Sequence, residues 1–205
     1  MDDADRVRFI RSMFLFNDKK YVSSTTRKDT GGKTLMVEGK RDLLVHIHAY
    51  CLMDNHYHML LSAHNDDEKL ISLFMKKLNK GYSRYFNEKY KRNGALWQGK
   101  YKKIHIIDDA HFLHIPYYIH LNPLDAKFPK WRDGGLKNSK EALAWLRTYR
   151  WSSHLDYLGE KNFRSVLDMD ILGDPNNLST NIRYEKRLLR VLEHEDTSGI
   201  RSIIE

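Results

Sequence analysis

The sequence predicts an α+β fold, with helices packed beside antiparallel strands. Two stretches carry that expectation. Residues 43–62 form two β-rich runs around Asp54-Asn55, a pair that tolerates the positive φ of a tight hairpin turn. Residues 68–90 place Ile71, Phe74, Met75, Leu78, Tyr82, Tyr85 and Phe86 at helical spacing, an amphipathic helix. A length of 205 residues, 41% hydrophobic and 30% charged, is enough for a buried core without disulfide staples.

The remaining elements follow in chain order. Residues 5–17 read as a first helix, with Phe9, Ile10, Met13 and Phe14 on one side and Asp2, Asp3 and Asp5 at its positive end. Residues 17–42 are polar and rich in Ser, Thr and Gly, a loop with a short strand expected at Leu35-Met-Val37. In the hairpin, Met53 should pair with His56 and Cys51 with His58. Alternation then puts His56, His58, Leu60 and Ser62 on one face with Cys51 and Ala49, and His46 and His48 on the other. Asn93-Gly94 breaks the chain, and the alternation in 96–107 predicts a strand. Asp108 or Asp109 caps a helix that ends before Pro123, with Pro116 inside it. Gly134-Gly135 marks a turn, 139–147 a short helix and 183–193 a last amphipathic helix. The expected division is one domain over 1–160 and a helical extension over 161–205.

Composition narrows the function. The single cysteine, Cys51, rules out an intrachain disulfide or a Cys-based zinc site, and a reducing cytosol is the expected compartment. Mean hydropathy is −0.66 and no apolar run reaches the ~18 residues of a membrane span, so no membrane partner is expected. The formal net charge is +8. Residues 76–103 alone hold ten Lys and Arg against one acid, Glu88, interleaved with Tyr82, Tyr85, Phe86, Tyr90, Trp97 and Tyr101. Basic groups neutralise phosphates and aromatic rings stack on bases, so Lys76, Lys77, Lys80, Arg84, Lys100, Tyr101 and Lys102 are candidate nucleic-acid contacts. The same run also fits a solvated helix face whose aromatics are core.

Two constellations carry chemistry. His56-Tyr57-His58 puts two imidazoles on one face of a strand, where they can share a metal ion; His46-Ile47-His48 has the same spacing, and either pair is also compatible with a structural role. Tyr118 and Asn122, four apart, share one helix face, with Tyr118 a candidate nucleophile and Asn122 a candidate oxygen ligand, or a buried ring and a C-cap. Tyr117 is rotated about 100° away and should pack.

Together these residues resemble the single-tyrosine HUH transposases, and within them the REP-associated tyrosine transposases. The resemblance rests on Ala49-Tyr-Cys-Leu-Met-Asp-Asn-His-Tyr-His-Met-Leu-Leu61, Leu96-Trp-Gln-Gly-Lys-Tyr-Lys102, Tyr118-Ile-His-Leu-Asn-Pro123 and Trp151-Ser-Ser153, in the family's order, over roughly residues 5 to 160. It implies a ferredoxin-like antiparallel sheet, His56, His58 and Asn122 as ligands of Mg²⁺ or Mn²⁺, and Tyr118 as the nucleophile. It also implies cleavage of single-stranded DNA near imperfect hairpins through a 5′-phosphotyrosine, and a role in DNA transposition. The partner is then hairpin-bearing single-stranded DNA, the protein a monomer or homodimer associated with the nucleoid when bound. The chain departs from the family in three places. It starts at the helix that a strand usually precedes, which implies an upstream extension or a truncated relative. Asp54 stands where Pro is frequent, and Asp125 where Arg is common, which removes one phosphate contact. A non-catalytic single-stranded DNA- or RNA-binding relative is the alternative, favoured if the strand is truly absent.

Overall fold

The computed structural model describes residues 1–20, 41–133, 136, 138–174 and 176–194. Its elements are α1 (Asp3–Phe16), β1 (Val45–Leu52), β2 (Tyr57–Ala63), α2 (Lys69–Lys89), α3 (Asp109–Leu121), α4 (Leu124–Lys127), α5 (Ser139–Leu146), α6 (His154–Tyr157) and α7 (Leu178–His194). Helices and an antiparallel strand pair make the fold α+β, as expected. The strand expected at 35–37 and the turn at Gly134-Gly135 lie outside the described residues. The chain divides into two compact units, one of Asp2–His46 with Ser62–Tyr101, the other mainly of Ile47–Leu61 with Lys102–Glu205.

In the first unit α1 packs on α2. Asp2 and Asp5 close a reciprocal capping box at the start of α1, satisfying two backbone N–H groups that have no partner within the helix. Phe9, Ile10 and Met13 are buried, as are Phe74, Met75, Leu78 and Tyr82 of α2. The helices approach closely at Gly81, where a Cβ would meet the Phe16 ring at 2.2 Å. At the far end of α1 the Asn17 amide oxygen accepts from the Leu44 and Val45 N–H groups, at 3.1 and 2.9 Å, and its nitrogen donates to the Val45 carbonyl. This clasp fixes where β1 begins.

In the second unit the hairpin closes as the sequence predicts, with the Met53 N–H donating to the His56 carbonyl at 2.8 Å across Asp54-Asn55. The other edge of β1 meets the Trp151-Ser-Ser153 segment. Leu52 N–H donates to the Trp151 carbonyl, Ser153 N–H to the Tyr50 carbonyl, and Cys51 bridges Ser152. With both edges occupied, β1 is buried almost throughout, whereas β2 is largely half-buried. α3 lays Ile115 and Ile119 on Ala49, Cys51, Met53 and Leu60, the alternate positions expected to share a face. Its other side gives Tyr117 and Leu121 to a core completed by α5 and by Tyr184, Leu188, Val191 and Leu192 of α7.

The strand expected at 96–107 is corrected: no strand forms there. Its alternating side chains find no buried face, Ile107 being 87% exposed, and among the described residues the sheet has two strands. Alternation predicts a strand only where the segment also pairs with a sheet edge, and 96–107 pairs with neither β1 nor β2. Pro116 does not break α3, which runs through it to Leu121.

Candidate functional site

His56, His58, Tyr118 and Asn122 all belong to the second unit. His56 follows the turn directly and is exposed, and His58 is half-buried two residues on. Their rings stand edge to face, with centroids 5.1 Å apart. His56 Nδ1 lies 2.6 Å from the Asn55 side-chain oxygen. An amide oxygen only accepts, so Nδ1 is the donor of this contact and Nε2 is the ring nitrogen left to face a ligand. The rival pair is divided between other partners. His46 Nε2 lies 3.0 Å from His64 Nδ1, while buried His48 contacts the Asp168 carbonyl through Nδ1 at 3.1 Å. Spacing alone gave no sign of His64.

Tyr118 and Asn122 occupy the last turn of α3 and its C-cap, 2% and 3% exposed. The Asn122 amide nitrogen donates to the Tyr118 carbonyl at 3.1 Å, a cap for the helix end that leaves the oxygen for another partner. That oxygen accepts from Arg132 Nη2 at 2.7 Å, and the same guanidinium lies 4.8 Å over the Tyr118 ring. Asp125 holds Arg132 in a bidentate grip, Nε to Oδ1 at 3.0 Å and Nη2 to Oδ2 at 2.9 Å, and also accepts from the Trp131 indole. The Arg132 side chain is 9% exposed, and its Nη1 has no hydrogen-bond partner among the described residues. Asp125 therefore holds an arginine seven residues on against this helix end. The sequence carried no signal for this, because Arg132 stands at no regular spacing from Tyr118.

Tyr117 packs as expected, stacked on Tyr184 with ring centroids 5.4 Å apart. Behind it lies a buried relay that sequence reasoning missed. His120 Nε2 lies 2.6 Å from Ser153 Oγ, and Tyr184 Oη lies 2.8 Å from Nδ1 of both His120 and His154. Ser153 Oγ accepts from the Tyr50 N–H and donates to its carbonyl. Neutral imidazoles satisfy the chain in either sense: His154 Nδ1–H to Tyr184, Tyr184 O–H to His120 and His120 Nε2–H to Ser153, or each of these bonds reversed, the Ser153 hydroxyl then turning from the Tyr50 carbonyl to His120. Burial pushes the His120 imidazole well below its ordinary pKa and His154 down to about 3, so both are neutral, as the relay requires. The relay ties α7, β1 and the segment after α5 to the helix of Tyr118. Tyr184→Phe keeps the ring and leaves both Nδ1 atoms without the hydroxyl, and urea titration should show a loss of about 3 kcal/mol.

The predicted nucleic-acid contacts divide. Lys76, Lys80, Arg84 and Lys100 are exposed in the first unit, and Lys102 is exposed in the second. Lys77 is half-buried and donates to the Asp18 carbonyl, and Tyr101 Oη shares a hydrogen bond with Ser72 Oγ at 3.1 Å. The interleaved aromatics are mostly structural. Tyr82 is core, Tyr85 and Tyr90 donate to the Asp5 carboxylate, and Trp97 packs edge-on against Phe9.

Paired imidazoles at the head of β2 and a helix end bearing Tyr and Asn supply the residue types of a phosphoryl-transfer site. A family model described as "Transposase IS200 like" matches residues 10–122, more than half of the chain and all four of these positions. The chain belongs to that family, the IS200-like transposases, and its function is accordingly of the DNA-processing transposase type. No curated protein and no solved structure matches it. No helix among the described residues is long and apolar enough to cross a membrane.

Proposed function

We propose that the chain nicks and joins single-stranded DNA near imperfect hairpins, with Tyr118 as nucleophile, in the manner of the REP-associated branch of its family. The Tyr118 oxygen attacks the scissile phosphorus and the P–O3′ bond breaks. The tyrosyl proton is released and the 3′ oxygen departs as a hydroxyl, leaving a 5′-phosphotyrosine. His56, His58 and Asn122 are the residues that would hold Mg²⁺ or Mn²⁺, an ion that polarises the phosphate and stabilises the departing oxygen when bound. Imidazole nitrogen is a softer donor than Mg²⁺ prefers, so of the two ions Mn²⁺ is the better match to two imidazoles and an amide oxygen, and Asn122 Oδ1 would have to exchange Arg132 Nη2 for the ion. The Nδ1–Asn55 contact, which leaves His56 Nε2 for a ligand, supports the histidine half of the set. Tyr118 is covered by Arg132, so attack requires the hydroxyl to leave that cover. Pro116, which removes one helical hydrogen bond two residues ahead, is where α3 gives most easily. Residues 1–160 make up the transposase domain of this reading and 161–205 its extension.

The test is a covalent complex. Wild-type protein with Mn²⁺ and a hairpin-bearing single strand should give a protein–DNA adduct that survives denaturant and is lost on chelation. His56→Ala should lose it and keep the thermal midpoint, since the side chain is exposed, whereas His46→Ala should keep it. The reverse pattern would place the metal elsewhere. Binding by the wild type without any adduct would favour a non-catalytic single-strand binder. DNA affinity should weaken with salt through the exposed cations of α2. Lys76→Ala with Lys80→Ala should make the log–log salt slope shallower by about 1.4, at roughly 0.7 per phosphate. An unchanged slope would make that face merely solvated.

A further inference from the structure

α7 carries a surface that the tyrosine site does not use. Tyr184, Leu188, Val191 and Leu192 bury one side of the helix in the core. The opposite side presents Arg183, Lys186, Arg187 and Arg190, which with Ser179 and exposed Ile182 line a shallow groove of about 280 Å³. The carboxylates of the helix are engaged elsewhere: Glu185 pairs with Arg147 at 2.8 Å, and Glu193 accepts from the Ser139 hydroxyl. Arg183, Lys186 and Arg190 are exposed and form no ion pair among the described residues. Arg187 Nη2 reaches His114 Nε2 at 3.0 Å, on α3 one turn ahead of Tyr118. Like charges three and four residues apart repel along a helix, so this row is unfavourable in the free protein and favourable only against an anion.

We infer that this face of α7 binds the phosphodiester backbone of a nucleic acid, an inference that rests on the DNA-processing reading and assigns it a second contact surface. The cations span about 10 Å along the axis from Arg183 to Arg190, which suits successive phosphates better than one small anion. A membrane surface fits poorly. An interfacial helix buries a broad apolar side in lipid, and here that side is already consumed by the core, leaving only Leu178 and Ile182, one turn apart at the start of α7, as exposed large apolar residues of the helix. Exposed Ile182 can instead lie against sugar or base.

The test is fluorescence anisotropy on the full chain with a labelled single-stranded oligonucleotide of about 30 residues, over about 50 to 300 mM salt. The triple variant Arg183→Ala, Lys186→Ala, Arg190→Ala should make the log–log slope shallower by about 2 and weaken binding about tenfold or more at the middle of that range. Its circular dichroism and melting temperature should not fall, since three mutually repelling groups are removed. An unchanged slope overturns the inference, as does a wild type that binds no oligonucleotide at the lowest salt. Capture by phosphatidylserine vesicles through the same three residues, with the oligonucleotide slope unmoved, overturns it as well. The nicking reading stands or falls separately. A reduced slope with no covalent adduct keeps the backbone surface and loses the nuclease, and an adduct with an unchanged slope does the opposite.

Discussion

Tyr118→Phe should remove the covalent protein–DNA adduct, by at least about a thousandfold in rate, while leaving DNA affinity within about twofold. The substitution deletes one oxygen from a ring that is 2% exposed. The packing of that ring on α3 and the Arg132 guanidinium 4.8 Å above it do not depend on the hydroxyl, so the fold and the cation–π contact persist. The other candidate phenols offer no substitute nucleophile. Tyr117 is stacked on Tyr184 in the core, and Tyr82 is buried with its hydroxyl held well above the ordinary phenol range by burial and the nearby Asp5 charge. Gel analysis of the denatured reaction reads the adduct, and anisotropy reads the binding.

Asp5→Ala should destabilise the protein by about 3 kcal/mol in urea titration, the largest stability effect expected of a charged residue in the first unit. The Asp5 side chain is fully buried and serves four donors. Lys89 Nζ reaches Oδ1 at 2.7 Å and Tyr85 Oη the same oxygen at 3.0 Å, while Tyr90 Oη and the Asp2 N–H reach Oδ2 at 2.6 and 3.0 Å. Burial alone would raise the carboxyl pKa. The hydrogen bonds from Lys89, Tyr90, the Asp2 backbone and Tyr85 outweigh it and hold the group at about 2. A folded-state pKa below the unfolded 3.8 means that the unfolded chain takes up the proton first as pH falls. The stabilisation is therefore full above about pH 4 and disappears as pH drops through 2. It is about 1–2 kcal/mol once the solvent around Lys89 is allowed for. Asp5→Asn should remove that acid step and leave the stability above pH 4 lower than wild type.

The hairpin and its turn were legible because alternation, β-branched residues and Asp54-Asn55 agree, and the Met53–His56 closure follows from a two-residue loop. α2 was legible because its apolar stripe keeps helical period over the whole helix. The different fates of Tyr117 and Tyr118 were legible from 100° of rotation, although both are buried, which rotation cannot tell. What escaped was tertiary. Asp5 read as a helix-dipole acid, and only the folded chain shows Lys89, 84 residues away, on its carboxylate. Arg132 reaches Asn122 through a bend of the chain after Pro123 that follows no periodic rule. The segment 96–107 alternates like a strand yet pairs with neither strand of the sheet among the described residues.

The role of Tyr118 is tested most directly by locating the nucleotide in the adduct. After nuclease trimming and trypsin digestion, the peptide between Lys103 and Lys127 holds both Tyr117 and Tyr118, so fragmentation must separate the two. The account predicts a phosphonucleotide on Tyr118 alone, joined through its 5′ phosphate, with a free 3′-hydroxyl on the other DNA product. A phosphonucleotide on Tyr117 or Tyr101, or a strand cut with no nucleotide on any tyrosine, would contradict it.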